Sequence, residues 1–373
     1  MSQKIRIAVL PGDGIGPEVI DQGIKVLEAI GERYHAHFEY CFAEVGAVAI
    51  DNTGDPLPEA TVEACLNADA VLFGAIGHPK YDNDPNAKVR PEQGLLRLRK
   101  ALGLYANIRP VTAYPKLSHL SPLRPERVEG VDLIIMRELT SGIYFGEKGI
   151  RDEGKSAFDT CYYHEDEIER IARLAFEYAL GRRKKLTLVD KANVLETSRL
   201  WRKKVQQMAG DYPQVELECM FVDNAAMQLI QYPKQFDVLL TSNMFGDILS
   251  DEASVLTGSM GLLPSASIGL HTSLFEPIHG SYPQATGKDI ANPMATILSA
   301  AMMLDALEMP EAAQLVRNTV QYILEKGIGT PELNPSVTYG CAQIGDLAAH
   351  LIASEDQILL REDKISHGIS TII

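Results

Sequence analysis

Apolar residues recur along this chain with two periods that alternate from segment to segment. Short runs rich in Ile, Val and Leu read as strands: Ile5–Leu10, Phe38–Glu44, Ala70–Ile76, Tyr105–Pro110, Val131–Leu139, Leu186–Lys191 and Phe236–Leu240. Helical spacing separates them. Pro17–Tyr34 carries Val19, Ile20, Ile24, Val26, Leu27 and Ile30, and further helices are expected at Glu59–Ala68, Gln93–Leu102 and Glu167–Leu180, the last ended by Gly181. Met294–Leu307, Glu311–Glu325 and Asp346–Ser354 complete the set. Strands that alternate with helices predict an α/β fold with a largely parallel sheet covered by helices.

Four stretches break the pattern. Gly77–Glu92 and Ser273–Pro293 are polar, Gly- and Pro-punctuated loops, and the first follows a strand, where open α/β sheets place ligands. Thr140–Tyr163 is aromatic and aperiodic; it reads as a hairpin or arm that needs a partner surface. The stretch Pro11–Glu18, PGDGIGPE, is glycine-rich between a strand and a helix. It fails the dinucleotide pattern because Pro17 takes the last glycine's place, and it has no Walker lysine. Its glycines are read as turn residues and Pro17 as a first-turn helix residue.

A length of 373 residues predicts two coupled domains or one large one. The net charge of −15 argues against a general binder of nucleic acid or anionic membranes, though not against a local Arg cluster for a small anion. Five scattered cysteines without C-x-x-C fit reduced thiols in a cytoplasmic protein. No signal-peptide pattern opens the sequence; Ile297–Leu307, the most membrane-like run, is short and carries Asp305, so it is expected to be a buried core helix.

Candidate chemistry centres on Ser242–Ser254, SNMFGDILSDEAS. Asn243 is expected to cap a helix that carries Asp247 and Asp251 on one face, their Cβ atoms about 5–6 Å apart. Paired carboxylates suit a hard divalent cation, and equally a solvated acidic face. Arg97 and Arg99 on a short helix, and Arg109 and Arg137 at strand ends, are candidate carboxylate readers or surface ion-pair members. Tyr144 can act as a general acid if cations lower its pKa, and Lys191 as a base if it is buried. Asp223 stands at a strand-to-helix junction, and His279–Ser281 and Asn292 lie on the second long loop. His35 and His37 are read as strand residues.

In order and spacing, LPGDGIGPE, GLLRLRK, ANIRP, RELTSGIYFG, DKANVLETS and SNMFGDILSDEAS resemble the metal-dependent β-decarboxylating 2-hydroxyacid dehydrogenases, from Leu10 to Pro293. Among these the chain is similar to members that act on 3-isopropylmalate. The resemblance implies a two-domain, non-Rossmann α/β fold with a dimerisation arm near 140–163. Residues 1–104 and 258–373 would bind nucleotide, and 105–257 would hold substrate, metal and the dimer contact.

The implied reaction is NAD-dependent oxidative decarboxylation of 3-isopropylmalate in leucine biosynthesis, by a homodimer with shared sites. Asp247 and Asp251 would hold Mg²⁺ or Mn²⁺, with Asp223 from the other subunit. Arg99, Arg109 and Arg137 would clamp the malate carboxylates, with Asp223 also near substrate. Lys191 would deprotonate the 2-hydroxyl, and Tyr144 would protonate the product enol. Gly77, His78 and Glu92 would face the nicotinamide half, and Glu276, His279, Gly280, Ser281, Gln284, Ala285 and Asn292 the adenosine half. Leu95, Leu96 and Val194 would receive the isopropyl group. Isocitrate, homoisocitrate or tartrate as substrate is the alternative, as is a non-catalytic regulatory subunit; Leu95 and Leu96 argue against the first and the retained acid–base and metal residues against the second. Gln284 replaces the Asp usual in NAD-using members, with Lys288 the nearest cation, and NAD remains the expected acceptor.

Overall fold

The computed structural model of this chain describes residues 4–84 and 87–354; the tail beyond Ser354, where the sequence offers no readable feature, lies outside them. The strands in chain order are β1 (Lys4–Gly12), β2 (His37–Phe42), β3 (Ala70–Ala75), β4 (Leu104–Thr112), β5 (Asp132–Glu138), β6 (Lys148–Arg151), β7 (Ser156–Asp159), β8 (Lys185–Asp190), β9 (Glu216–Phe221), β10 (Val238–Thr241), β11 (Pro264–Gly269), β12 (Leu274–Pro277), β13 (Ile328–Gly329) and β14 (Val337–Thr338). The helices are α1 (Gly16–Tyr34), α2 (Ala47–Thr53), α3 (Glu59–Leu66), α4 (Pro79–Asp82), α5 (Pro91–Ala101), α6 (Pro125–Val128), α7 (Glu165–Gly181), α8 (Glu196–Met208), α9 (Val222–Gln231), α10 (Asn243–Thr257), α11 (Met294–Ala306), α12 (Pro310–Glu325) and α13 (Cys341–Ala353).

The described residues divide into two compact units, 4–104 with 259–354, and 105–258. In the first unit the strands run β2-β1-β3-β12-β11, parallel except for the antiparallel β11–β12 pair. Every residue of β3 is buried, as expected of a strand covered on both faces. Helix α11 is buried almost throughout, from Met294 to Leu304, so it is the core helix that its apolar sequence predicts. No helix of the described residues is long and apolar enough to cross a membrane.

In the second unit the strands run β4-β5-β10-β8-β9, with β4 antiparallel to β5 and the others parallel. Its core joins Leu133, Ile135, Val189 and Leu239 of the sheet to Leu229 of α9 and Leu249, Ala253 and Leu256 of α10. Thr140–Tyr163 contains the antiparallel hairpin β6–β7, on which Ile150 stands largely exposed. Arg182 and Asp237 form a fully buried ion pair at 2.7 Å, joined by Asp132 at 3.0 Å, at the end of the sheet opposite the Arg137 end of β5.

Several boundaries move for identifiable reasons. Helix α13 begins five residues before the expected Asp346, because the Gln343 side chain accepts from the Gly340 amide at 3.0 Å and caps the turn there. Helix α5 starts at Pro91, a residue suited to a first turn. His37 opens β2 as expected, but His35 does not belong to a strand: it ends α1 in the left-handed region at φ 57°. Helix α2 carries no hydrophobic period that reveals it; its first amides are held by the side chain of Asp13, far back in the sequence.

Candidate active site

In the second unit, the ends of β5 and β10 and the start of α10 build one polar cluster. The pairing of β5 with β10 sets Arg137 beside Thr241, two residues before α10 begins. Gly246 permits the arginine stem to lie on the helix, since a Cβ there would stand 2.6 Å from Cβ and Cγ of Arg137. The Arg137 guanidinium pairs with Oδ1 of Asp247, and the Tyr144 hydroxyl donates to Oδ2 of the same carboxylate at 2.8 Å. The Tyr144 ring also lies under the guanidinium, 5.6 Å away. Arg109 donates to Asn107 at 2.7 Å, to Ser250 at 2.6 Å and to Oδ1 of Asp251 at 3.2 Å, while Asp251 keeps 71% of its side chain exposed.

One expectation about Asn243 is corrected. It does not cap α10; Ser242 occupies that position without a side-chain cap, and Asn243 turns into the protein, 1% exposed. Its Oδ1 accepts from Nε and Nη2 of Arg137, at 3.0 and 2.8 Å. Tyr144 also differs from expectation: its pKa is raised, first by burial and then by the hydrogen bond to Asp247, and Arg137 offsets only part of this.

Lys191, which follows β8, and Asp223, in the first turn of α9, form a second cluster. Their side chains pair directly, and the lysine ammonium holds the Asp223 carboxyl below its ordinary pKa. Lys191 is partly exposed, so the burial expected of it is not met. Val194 is 61% exposed beside them. Among the described residues no three His, Cys, Asp or Glu side chains converge as a metal site, so Asp223 does not join Asp247 and Asp251 within one chain. Asp247 and Asp251 nevertheless fit half of a magnesium or manganese site: they offer hard carboxylate oxygens from successive turns of one helix.

The first unit gathers the expected nucleotide residues. Gly77, at φ 113°, is where a Cβ would stand 3.0 Å from Glu92 Oε1 and 3.7 Å from Ser281 Oγ, so these three residues converge. The glycine-rich stretch explains why. Asp13 accepts from the amides of Gly77, Ala47 and Val48 at 2.9, 2.9 and 3.1 Å, and the Ile15 amide donates to the Ser281 carbonyl at 2.8 Å. The loop therefore fixes two ligand-facing segments. His78 caps α4 through its ring, with Lys80 N donating at 3.2 Å.

Glu276 lies 3.8 Å from Arg99. Leu96 on the same helix is 39% exposed and Leu95 half-buried. Asn292 donates to Glu332 at 2.9 Å. The His279 Nε2 is buried without a protein hydrogen-bond partner, and burial pushes the imidazole below its ordinary pKa. Such an atom suits a ligand that supplies the missing partner. Gly280 and Gln284 are exposed on this loop, as is Lys288, whereas Ala285 is buried against Ile15, Val19, Ala291 and Cys341 and offers a ligand only its backbone.

Sequence reasoning missed Asp13, Glu138 and Asn243 as organisers. Glu138 is fully buried and accepts from the amides of Thr140 and Ser141 at 2.7 and 3.0 Å, which shapes the turn before Tyr144. The available signal was a polar residue of unusual placement beside a buried strand.

A family model described as isocitrate/isopropylmalate dehydrogenase matches residues 6–348. A curated protein of Bacteroides fragilis, named 3-isopropylmalate dehydrogenase, is 58% identical over 328 residues, covering 88% of this chain and 92% of its own. One of the same name from Aquifex aeolicus is 54% identical, covering 92% and 94%. Among solved structures, an isocitrate dehydrogenase from Methylococcus capsulatus superposes with a TM-score of 0.83 at 35% identity, covering 94% of this chain and all of its own.

Proposed function

The chain belongs to the isocitrate/isopropylmalate dehydrogenase family, and we propose that it oxidatively decarboxylates (2R,3S)-3-isopropylmalate to 4-methyl-2-oxopentanoate, with NAD as hydride acceptor, in leucine biosynthesis. The observation that carries this reading is the 58% identity to a relative named for that substrate, across nearly the whole of both chains. The apolar pair Leu95 and Leu96 supports it, because a third carboxylate placed against such side chains loses hydration without a partner.

The reaction converts a 2-hydroxy acid into a 2-oxo acid, CO₂ and reduced nucleotide. C2 loses a hydride and its hydroxyl a proton; the 3-carboxyl leaves as CO₂, and C3 takes up a proton. Arg109 and Arg137 orient carboxylates by forked hydrogen bonds, and they already bind the carboxylates of Asp251 and Asp247. Arg99, Leu95, Leu96 and Val194 are carried to the substrate by the family resemblance. The neutral amine form of Lys191, released from its ion pair with Asp223, receives the hydroxyl proton, and Tyr144 delivers a proton at C3. A hydroxyl with raised pKa keeps its proton until the product enolate, a stronger base, requires it.

Asp247 and Asp251, with Asp223 of a second copy, would hold Mg²⁺ or Mn²⁺, which when bound supplies Lewis-acid stabilisation of charge on the C2 oxygen. The pairing of Asp223 with Lys191 within one chain supports a homodimer that shares sites. So do the exposed apolar residues Met227 and Ile230 of α9 and Ile248 and Val255 of α10, which suit burial against a second copy. His279, Ser281, Gln284, Asn292 and Glu276 are assigned to the adenosine half, and Gly77, His78 and Glu92 to the nicotinamide half. The test is turnover of 3-isopropylmalate with NAD and Mg²⁺: formation of NADH, CO₂ and 4-methyl-2-oxopentanoate, abolished by EDTA and restored by metal, is expected. Nucleotide binding without turnover, with NADP also tried, contradicts catalysis.

A further inference from the structure

We propose that Asn243 is the positioning residue that aims Arg137, and so sets how tightly the substrate carboxylate is held; this rests on the assignment of Arg137 as a carboxylate reader. Its Oδ1 takes both donors of one guanidinium edge, Nε at 3.0 Å and Nη2 at 2.8 Å. That edge is planar and rigid, so fixing two of its donors fixes the direction in which the remaining N–H groups point.

The asparagine is itself fixed at both ends. Its Nδ2 donates to the Ser141 carbonyl at 3.0 Å, and its backbone amide donates to the Tyr163 hydroxyl at 2.9 Å. The Nδ2 bond also settles which end of the carboxamide faces the arginine, since an amide nitrogen cannot accept from a guanidinium. Ser141 belongs to the turn that carries Tyr144, and Gly142 has no side chain because a Cβ would strike the Tyr163 hydroxyl. One buried carboxamide thus ties Arg137, the start of α10 and the Tyr144 turn together. Asp247 also holds Arg137, but its carboxylate is 37% exposed and is assigned to metal. Asn243 is the neutral contact that stays when Asp247 changes partner. A carboxamide suits this task, because it orients the guanidinium without cancelling the charge that the substrate must find.

The test is a double-mutant cycle read as KM and kcat for 3-isopropylmalate, with the KM for NAD and Tm as controls. Asn243→Ala should raise the substrate KM about 10-fold or more, with the NAD KM unchanged. In an Arg137→Ala background the same substitution should change the substrate KM less than about 3-fold, because nothing remains to be aimed. Asn243→Asp, which keeps an oxygen toward the arginine but cancels its charge and loses the donor to the Ser141 carbonyl, should also raise the substrate KM. If the alanine variant fails to fold, Asn243→Ser, too short to reach the guanidinium, serves in the same cycle. Equal fold-effects in both backgrounds, or an unchanged substrate KM, overturn the inference while leaving Arg137 as a reader. An Arg137→Ala variant with normal substrate KM overturns both.

Discussion

The Tyr144 hydroxyl donates to Asp247 at 2.8 Å, so the assigned proton donor and an assigned metal ligand share one hydrogen bond. Tyr144→Phe removes only that hydroxyl. A net loss of about 0.5–1.5 kcal/mol in stability is expected, together with a fall in kcat of roughly 100-fold. Near-normal kcat with 3-isopropylmalate contradicts the proton-donor assignment.

Asp251 is largely exposed, and its carboxylate pairs with Arg109 at 3.2 Å. Asp251→Asn therefore leaves Tm nearly unchanged but removes a charge from the metal site. Turnover should fall roughly 100-fold or more, with a higher Mg²⁺ requirement. A variant with ordinary activity at low Mg²⁺ places the metal elsewhere.

Much of this site was legible in the sequence. Asp247 and Asp251 share a helix as their spacing requires, and Arg137 stands near the end of β5, whereas Arg109, expected at a strand end, lies inside β4 opposite Ile135 and reaches Ser250 and Asp251 from there. What was not legible is what each polar side chain turns toward. Asn243 follows a strand and precedes a helix, the local pattern of a cap, yet its partner is 106 residues away. Asp13 is embedded in glycines that suggest a phosphate loop, and its partners come from two distant segments. Local propensity describes the backbone that carries such residues, whereas long-range pairing decides their use.

Asp13 is buried and holds three amides with one carboxylate. Asp13→Ala leaves these donors without their acceptor, at about 1–3 kcal/mol for each one that water does not reach. The variant should lose several degrees in Tm and raise the NAD KM more than the 3-isopropylmalate KM, since Gly77 is released. An unchanged Tm contradicts the anchoring role.

Burial raises the Glu138 pKa although three donors oppose it. A carboxyl that holds its proton more tightly folded than unfolded contributes stability at low pH that is lost as pH rises from the ordinary carboxyl range to the raised value. Glu138→Gln cannot ionise. The Tm of the variant relative to wild type should therefore climb across that window; a flat difference contradicts the assigned shift.

If Lys191 works in the site of a second copy, mixed Lys191→Ala and Asp247→Asn chains form one intact site in each heterodimer. Random exchange between two inactive proteins then restores about a quarter of wild-type activity. No recovery after verified exchange contradicts shared sites.

The most direct test of the whole account is the ratio of kcat/KM for 3-isopropylmalate to that for isocitrate, measured with NAD and Mg²⁺ in one preparation. An apolar Leu95–Leu96 pair that rejects a third carboxylate predicts a ratio of at least about 100, equivalent to roughly 2.7 kcal/mol. A ratio near one, or a preference for isocitrate, contradicts it.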